Sequence, residues 1–202
     1  MNYLKKATKS SINKTIKFLI KNGFDAELVP NGLEAKKRVL KLIPKNSSVM
    51  TMTSVTLDAL GIPEAIEKSG QFEFIRNKLA KLDQKTKGQE MKKLASVPDV
   101  AIGSVHALTM DGKIMIASAT GSQLPAYVYG ASKVIFVVGT QKIVKNLEDG
   151  MKRIYEHILP LESERAKKAY GVSGSSVNKL LVLNKETPGR ISVVFVDEVL
   201  GF

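Results

Sequence analysis

At 202 residues with no cysteine and a formal charge of +12, the chain has the size of one α/β domain and can bury a core without a disulfide or structural metal. The missing cysteines exclude thiolate zinc sites, iron–sulfur ligation and cysteine nucleophiles within this chain, and His106 and His157 are too few for a histidine-rich metal site. The positive charge is spread over lysines such as Lys5, Lys36, Lys68, Lys92, Lys133 and Lys167, without interleaved aromatics; this pattern describes solvated helix faces better than a nucleic-acid surface.

The opening Met1-Asn-Tyr-Leu-Lys-Lys lacks the apolar stretch of a secretion signal. The longest apolar run, Val134 to Val138, is far shorter than the ~20 residues that span a bilayer. A soluble, cytoplasmic protein with no membrane span is expected.

In chain order, Leu4, Thr8, Ile12, Ile16, Leu19 and Ile20 recur at helical spacing and predict a first helix from about Leu4 to Asn22, stopped by Gly23. Phe24 to Val29 reads as a strand. Asn31, with Glu34 three residues on, predicts a capped helix that turns Val39, Leu40 and Ile43 inward and ends at Pro44. Ser47 to Met52 is a second strand. Ser54 then caps a short helix through Leu57 and Leu60 to Gly61, and Pro63 opens another over Glu64 to Lys68. Phe72 to Ile75 is ambiguous between strand and loop, and Asp83 to Ala95 reads as a weakly amphipathic helix or a mobile cover. Strands alternating with helices predict a mostly parallel sheet.

The stretch from Val97 to Thr140 carries the strongest local signals. Asp99 to Ile102 is apolar, as a strand buried on both faces should be. Asp111-Gly112 between β-prone runs predicts a hairpin with a type I′ turn, Leu108 and Met110 facing Ile114 and Ile116. Thr120-Gly121-Ser122-Gln123 leads into a helix over Leu124 to Tyr129. The free amides of such a helix start, the bare backbone of Gly121 and the hydroxyls of Thr120 and Ser122 suit a phosphate or carboxylate; Ser122 as a simple cap is the equal alternative. Neither a Walker loop nor a dinucleotide fingerprint is present, so no nucleotide cofactor is indicated. After the strand Val134 to Val138, Asn146 caps a long helix with Leu147, Met151, Ile154, Tyr155 and Ile158 inward, ending at Pro160. Leu180 to Leu183 and Ile191 to Val196 are closing strands joined through Pro188-Gly189, with an antiparallel return plausible.

Several runs share an order and spacing that resemble one family. They are Ser54-Val-Thr-Leu, Gly103-Ser-Val-His-Ala-Leu-Thr, Asp111-Gly112, Ala119-Thr-Gly-Ser-Gln-Leu-Pro-Ala, Val137-Val-Gly, Lys142-Ile-Val-Lys-Asn-Leu-Glu and Val196-Asp-Glu-Val-Leu-Gly-Phe. The family is the LUD, or lactate-utilisation domain, family, and in particular its lactate-utilisation C-type proteins. The resemblance covers nearly the whole chain. It implies one domain over residues 1–202, with the N-terminal helix (1–23) as an appendage on it.

The implied fold is an open, mostly parallel α/β sheet flanked by helices, with an antiparallel hairpin or edge strands. That fold is like ribose-5-phosphate isomerase, glucosamine-6-phosphate deaminase and the coenzyme A transferases. Ligands in that superfamily sit at the carboxyl ends of strands, here Thr53-Ser54 and Thr120-Gly121-Ser122-Gln123. The resemblance also implies a part in bacterial lactate oxidation to pyruvate beside iron–sulfur partner subunits. Some relatives carry cysteines where this chain has Gly171, Ser173, Gly174 and Ser175, so a cluster role for that segment is excluded.

Two functions follow. One is an accessory component of lactate utilisation holding a small anion. The other is a stand-alone enzyme or sensor acting on a sugar phosphate or an acyl-CoA-like anion. Asp58, Glu198 and His106 are the acid–base candidates, each with a simpler structural role; Asp111 is more simply a turn residue and His157 a packing one. The oligomeric state stays open, a homo-oligomer included.

Overall fold

Strands that are apolar along their whole length need cover on both faces, and strands that alternate need it on one; the chain answers with two stacked sheets. The computed structural model describes residues 2–202. The first sheet is six-stranded and entirely parallel, in the order β1 (Asp25–Val29), β10 (Ile191–Val196), β7 (Lys133–Gly139), β4 (Val100–Gly103), β2 (Ser48–Thr51), β3 (Glu73–Phe74). The second is mixed, in the order β8 (Ile143–Val144), β5 (Ala107–Thr109), β6 (Ile114–Ser118), β9 (Lys179–Leu183).

Side-chain alternation on β7 separates the layers. Val134, Phe136 and Val138 join Leu108, Ile114 and Ile116 of the second sheet in the inter-sheet core. Ile135 and Val137 point the other way, onto Val39 of α2 (Gly32–Leu42) and Ile62 and Ile66 of α4 (Ile62–Ser69). Met115, Ala117 and Val144 face outward from the second sheet onto Ile154 and Ile158. The result is helix, sheet, sheet, helix.

The caps form as their residue types require. Thr8 accepts from Ser11 N at the start of α1 (Lys9–Lys21), and Asn31 Oδ1 accepts from Glu34 N. Ser54 Oγ accepts from Leu57 N at α3 (Val55–Ala59), and Asn146 Oδ1 from Asp149 N at α7 (Leu147–Lys152). The remaining helices are α5 (Ile75–Leu79), α6 (Gln84–Ser96), which is kinked at Lys87 and buries none of its residues, and α8 (Leu159–Tyr170). Among the described residues, no helix is long and apolar enough to cross a membrane.

Local expectations are corrected at several points. The first helix begins at Lys9, not Leu4, because Thr8 is its cap, and Leu4 and Ile20 are exposed. The hairpin forms, pairing Leu108 with Ile114, but without a type I′ turn: Gly112 takes positive φ and Asp111 does not. The Asp111 carboxylate instead binds the Thr109 hydroxyl and the Lys113 ammonium, and Asn22 Nδ2 donates to the carbonyls of Asp111 and Gly112, docking the tip on α1. The helix expected over Leu124 to Tyr129 forms, but after its first residues it widens into a π turn over Ala126–Gly130.

Pro160 does not end the last helix: α7 runs through a π turn, Arg153–Ile158, into α8, whose first turn holds Pro160. Leu147 and Tyr155, expected inward, are exposed. Finally, only β9 returns antiparallel, against β6; β10 enters parallel between β1 and β7, because two covered faces suit an unbroken apolar run.

Two glycines test this packing. A Cβ on Gly130 would lie 1.8 Å from the Ser96 carbonyl oxygen, whereas one on Gly88, in α6, meets nothing within 4 Å. Gly130→Ala should cost about 1–3 kcal/mol or more by overpacking against rigid backbone. Gly88→Ala should add about 0.5–1 kcal/mol by reducing the freedom of the unfolded chain. Urea unfolding of both variants measures the difference.

Candidate functional site

The carboxyl ends of parallel strands are where loops leave the sheet and helix amides converge, so an open α/β sheet places its crevice there. Here the segments after β2, β4 and β7 (Met52 to Thr56, Ser104 to His106, and Lys142) line one cavity of about 630 Å³. The second sheet supplies Ile116 to Thr120, and α8 closes the far wall with Glu162, Arg165 and Ala166. That volume suits a small-molecule ligand.

Its most unusual residue is Lys142. A tight 3₁₀ turn, Thr140–Lys142, joins β7 to β8 and carries the lysine from the first sheet into the second. The side chain is only 2% exposed. Its Nζ lies 3.1 Å from Thr56 Oγ1 and 3.1 Å from Ser104 Oγ, and among the described residues no carboxylate pairs with it. Burial, with the nearby Arg153 guanidinium, pulls the amine down to about 7.

Arg153 is itself fully buried on the π turn, its guanidinium 5.8 Å from the centroid of the Tyr3 ring, with no protein hydrogen bond to its nitrogens among the described residues. Burial lowers its pKa to about 10. The Tyr3 ring also stacks on His157 at 5.1 Å. Arg76, at the cavity mouth, is held by bonds from Nε to Thr51 O and from Nη2 to Thr53 Oγ1, both 2.9 Å.

His106 is on the cavity wall. Its Nδ1 accepts from Ala117 N at 3.2 Å, which leaves the proton of the neutral ring on Nε2. Enclosure by protein, then Lys142 and Arg153, depress it to about 3. At neutral pH it is therefore a hydrogen-bond donor rather than a titrating acid–base group.

The expected site residues divide. Thr53, Ser54, Asp58, His106, Thr120, Ser122 and Gln123 all border this cavity; Gly121 and Glu198 do not. Gly121 N is engaged by Ser118 Oγ at 2.8 Å, and Thr120 and Ser122 bond each other, so this turn folds on itself. Gly121 is glycine because its φ is +84° and a Cβ would lie 2.6 Å from Lys179 Cδ. Gln123 Oε1 accepts from Ser118 Oγ at 3.0 Å. Glu198 belongs to a shallow recess with Gly32 and Lys36. Sequence reasoning missed Lys142 and Arg76. The only signal for Lys142 was a cation lying between the apolar run Val134 to Val138 and the apolar pair Ile143-Val144, and for Arg76 there was none.

A family model described as "LUD domain" matches residues 12–196. Among solved structures, the chain is similar to a crystal structure of a DUF162 family protein from Deinococcus radiodurans. The TM-score is 0.57 at 13% identity, over 93% of this chain and 96% of that one, a likeness of fold. No curated protein matches the chain.

The buried amine predicts a pH dependence. Its folded pKa lies below the unfolded value, so the unfolded chain takes up the proton first and Lys142 costs stability as pH falls toward the folded pKa of about 7. From about pH 9 to about pH 7 the stability of Lys142→Met should rise relative to the wild type by about 2 kcal/mol. Chemical unfolding across that range reads the trend; parallel curves would refute it.

Proposed function

Because the chain belongs to the LUD domain family, which is associated with lactate utilisation, we propose that it is an accessory component of bacterial lactate oxidation to pyruvate whose cavity holds a small organic anion. The observation that carries this reading is Lys142, a buried cation-forming group on the cavity wall with hydroxyl partners and, among the described residues, no carboxylate partner. A lysine kept from water stabilises a fold less than leucine would, and such a group in a cleft marks a functional site. An anionic ligand would restore the charged form of the amine. Arg76 adds a second cation at the mouth, and Thr53, Ser54, Thr120, Ser122 and Gln123 add polar groups around the rim.

Under this reading the chain works beside iron–sulfur subunits, which would supply the redox groups that a chain without cysteine does not. Kinship with the isomerase and transferase superfamily is part of the proposal. A cavity of about 630 Å³ exceeds the needs of a three-carbon acid, which favours as second reading an enzyme or sensor for a sugar phosphate or acyl-CoA-like anion.

Thermal unfolding with L-lactate, pyruvate, inorganic phosphate, ribose phosphate and coenzyme A tests both. A ligand at a hundredfold excess over its Kd should stabilise the protein by about 2.7 kcal/mol, or several degrees. Lys142→Met should lose most of that gain. Carboxylates alone would support the accessory role, and larger phosphorylated ligands the second. No shift with any of the five would sink the anion site. Capture of iron–sulfur subunits by the tagged chain, from a lysate of lactate-grown bacteria, tests the partnership separately.

A further inference from the structure

Resting on the anion reading and going past it, we propose that Lys142 is a covalent nucleophile. Its Nζ condenses with the carbonyl carbon of a small ligand that carries both a carbonyl and an anionic group.

The geometry leaves Lys142, among the described residues, without the ion pair that would fix it as an ammonium. Lys6, Lys37, Lys68, Lys78, Lys87, Lys113, Lys152 and Lys167 all pair with carboxylates at the surface. Lys142 does not. Its partners are two hydroxyls, and their directions are constrained. Thr56 Oγ1 gives its own proton to Leu200 O at 3.2 Å, so toward Lys142 it accepts. Ser104, 3.1 Å away, is free to accept an N–H or to donate to the lone pair. A neutral amine satisfies both arrangements. Arg153 holds a positive charge near the amine that disfavours its protonated form, and among the described residues its buried guanidinium has no hydrogen-bond partner. The depressed basicity leaves a large neutral fraction at physiological pH.

The chemistry balances without a redox partner. The Nζ lone pair attacks the carbonyl carbon, forming a C–N bond as the C=O pair moves to oxygen. Proton transfer from nitrogen to oxygen, for which the Ser104 hydroxyl is placed, gives a neutral carbinolamine. Loss of water, which carries away the former carbonyl oxygen, leaves the C=N bond. His106, neutral with its proton on Nε2, supplies a donor on the cavity wall for the ligand's oxygen. Arg76 supplies a cation for the ligand's anionic group. Carboxylate and phosphate ligands share this chemistry.

Reductive trapping tests it. The full chain is incubated with pyruvate, glyoxylate or glycolaldehyde phosphate, treated with sodium cyanoborohydride, and mapped by peptide mass spectrometry. One saturable adduct is expected at Lys142, forming at least tenfold faster than at any surface lysine. Its rate should level off just above neutral pH, while surface labelling keeps rising. Trapping by the two oxo acids alone assigns a carboxylate ligand; trapping by glycolaldehyde phosphate alone assigns a phosphate ligand. Lys142→Arg, checked for folding by circular dichroism, should lose the adduct and keep surface labelling. Uniform labelling of surface lysines in both proteins overturns the proposal. L-lactate has no carbonyl and separates the two readings. A thermal shift with lactate or pyruvate but no Lys142 adduct sinks the covalent step and leaves the anion site standing. Neither shift nor adduct sinks both.

Discussion

Continuous burial from Val134 to Lys142 is the constraint on which the rest of the structure depends. Strand β7 lies between β10 and β4, pairs with both, and gives one face to the second sheet and the other to the helices. Each apolar side chain along it contributes about 1.5–3 kcal/mol by leaving water. That run does not stop where the strand stops. The chain turns tightly through Thr140 and Gln141 and continues as β8 in the second sheet. A residue at this crossing has protein on every side but the cavity. Lys142 stands there.

Site and fold are therefore coupled through one turn. The hydroxyls that meet Lys142 come from α3, following β2, and from the loop after β4, so the amine ties together segments leaving three parallel strands. The same geometry raises the cost of the charged form and opens the group to a ligand. Burial that only stabilised would have placed a leucine here; an amine set among hydroxyls, with Arg153 nearby, trades stability for reactivity. The π turn over Arg153–Ile158 serves the same arrangement from the other side. It turns Ile154 and Ile158 toward the core and cavity, while Arg153 and His157 meet Tyr3 on the N-terminal segment.

Local chemistry was legible where it is local. Asn31, Ser54 and Asn146 cap helices because their short side chains reach backbone amides two or three residues on, whatever surrounds them. The Asp-Gly hairpin forms for the same reason, although docking on α1 selects another turn. Pro160 misled because the helix continues through it after a widened turn, and the helix after Ser122 widens into a π turn that residue spacing does not signal. Among the site candidates, hydroxyl-rich turns were legible as rim residues. Gly121 and Glu198 were not separable from them, because which side of a sheet end a residue faces depends on distant segments.

Composition, apolar runs and caps determined by themselves an α/β fold with buried parallel strands, the positions of most elements, and the absence of thiol chemistry in this chain. Those are properties of neighbouring residues. Only the tertiary structure decided that the last strand enters the middle of the first sheet, and that Lys142 and Arg153 are the buried ones among thirty-one basic residues. Desolvation is a property of everything packed around a group, and no residue in a sequence carries it alone.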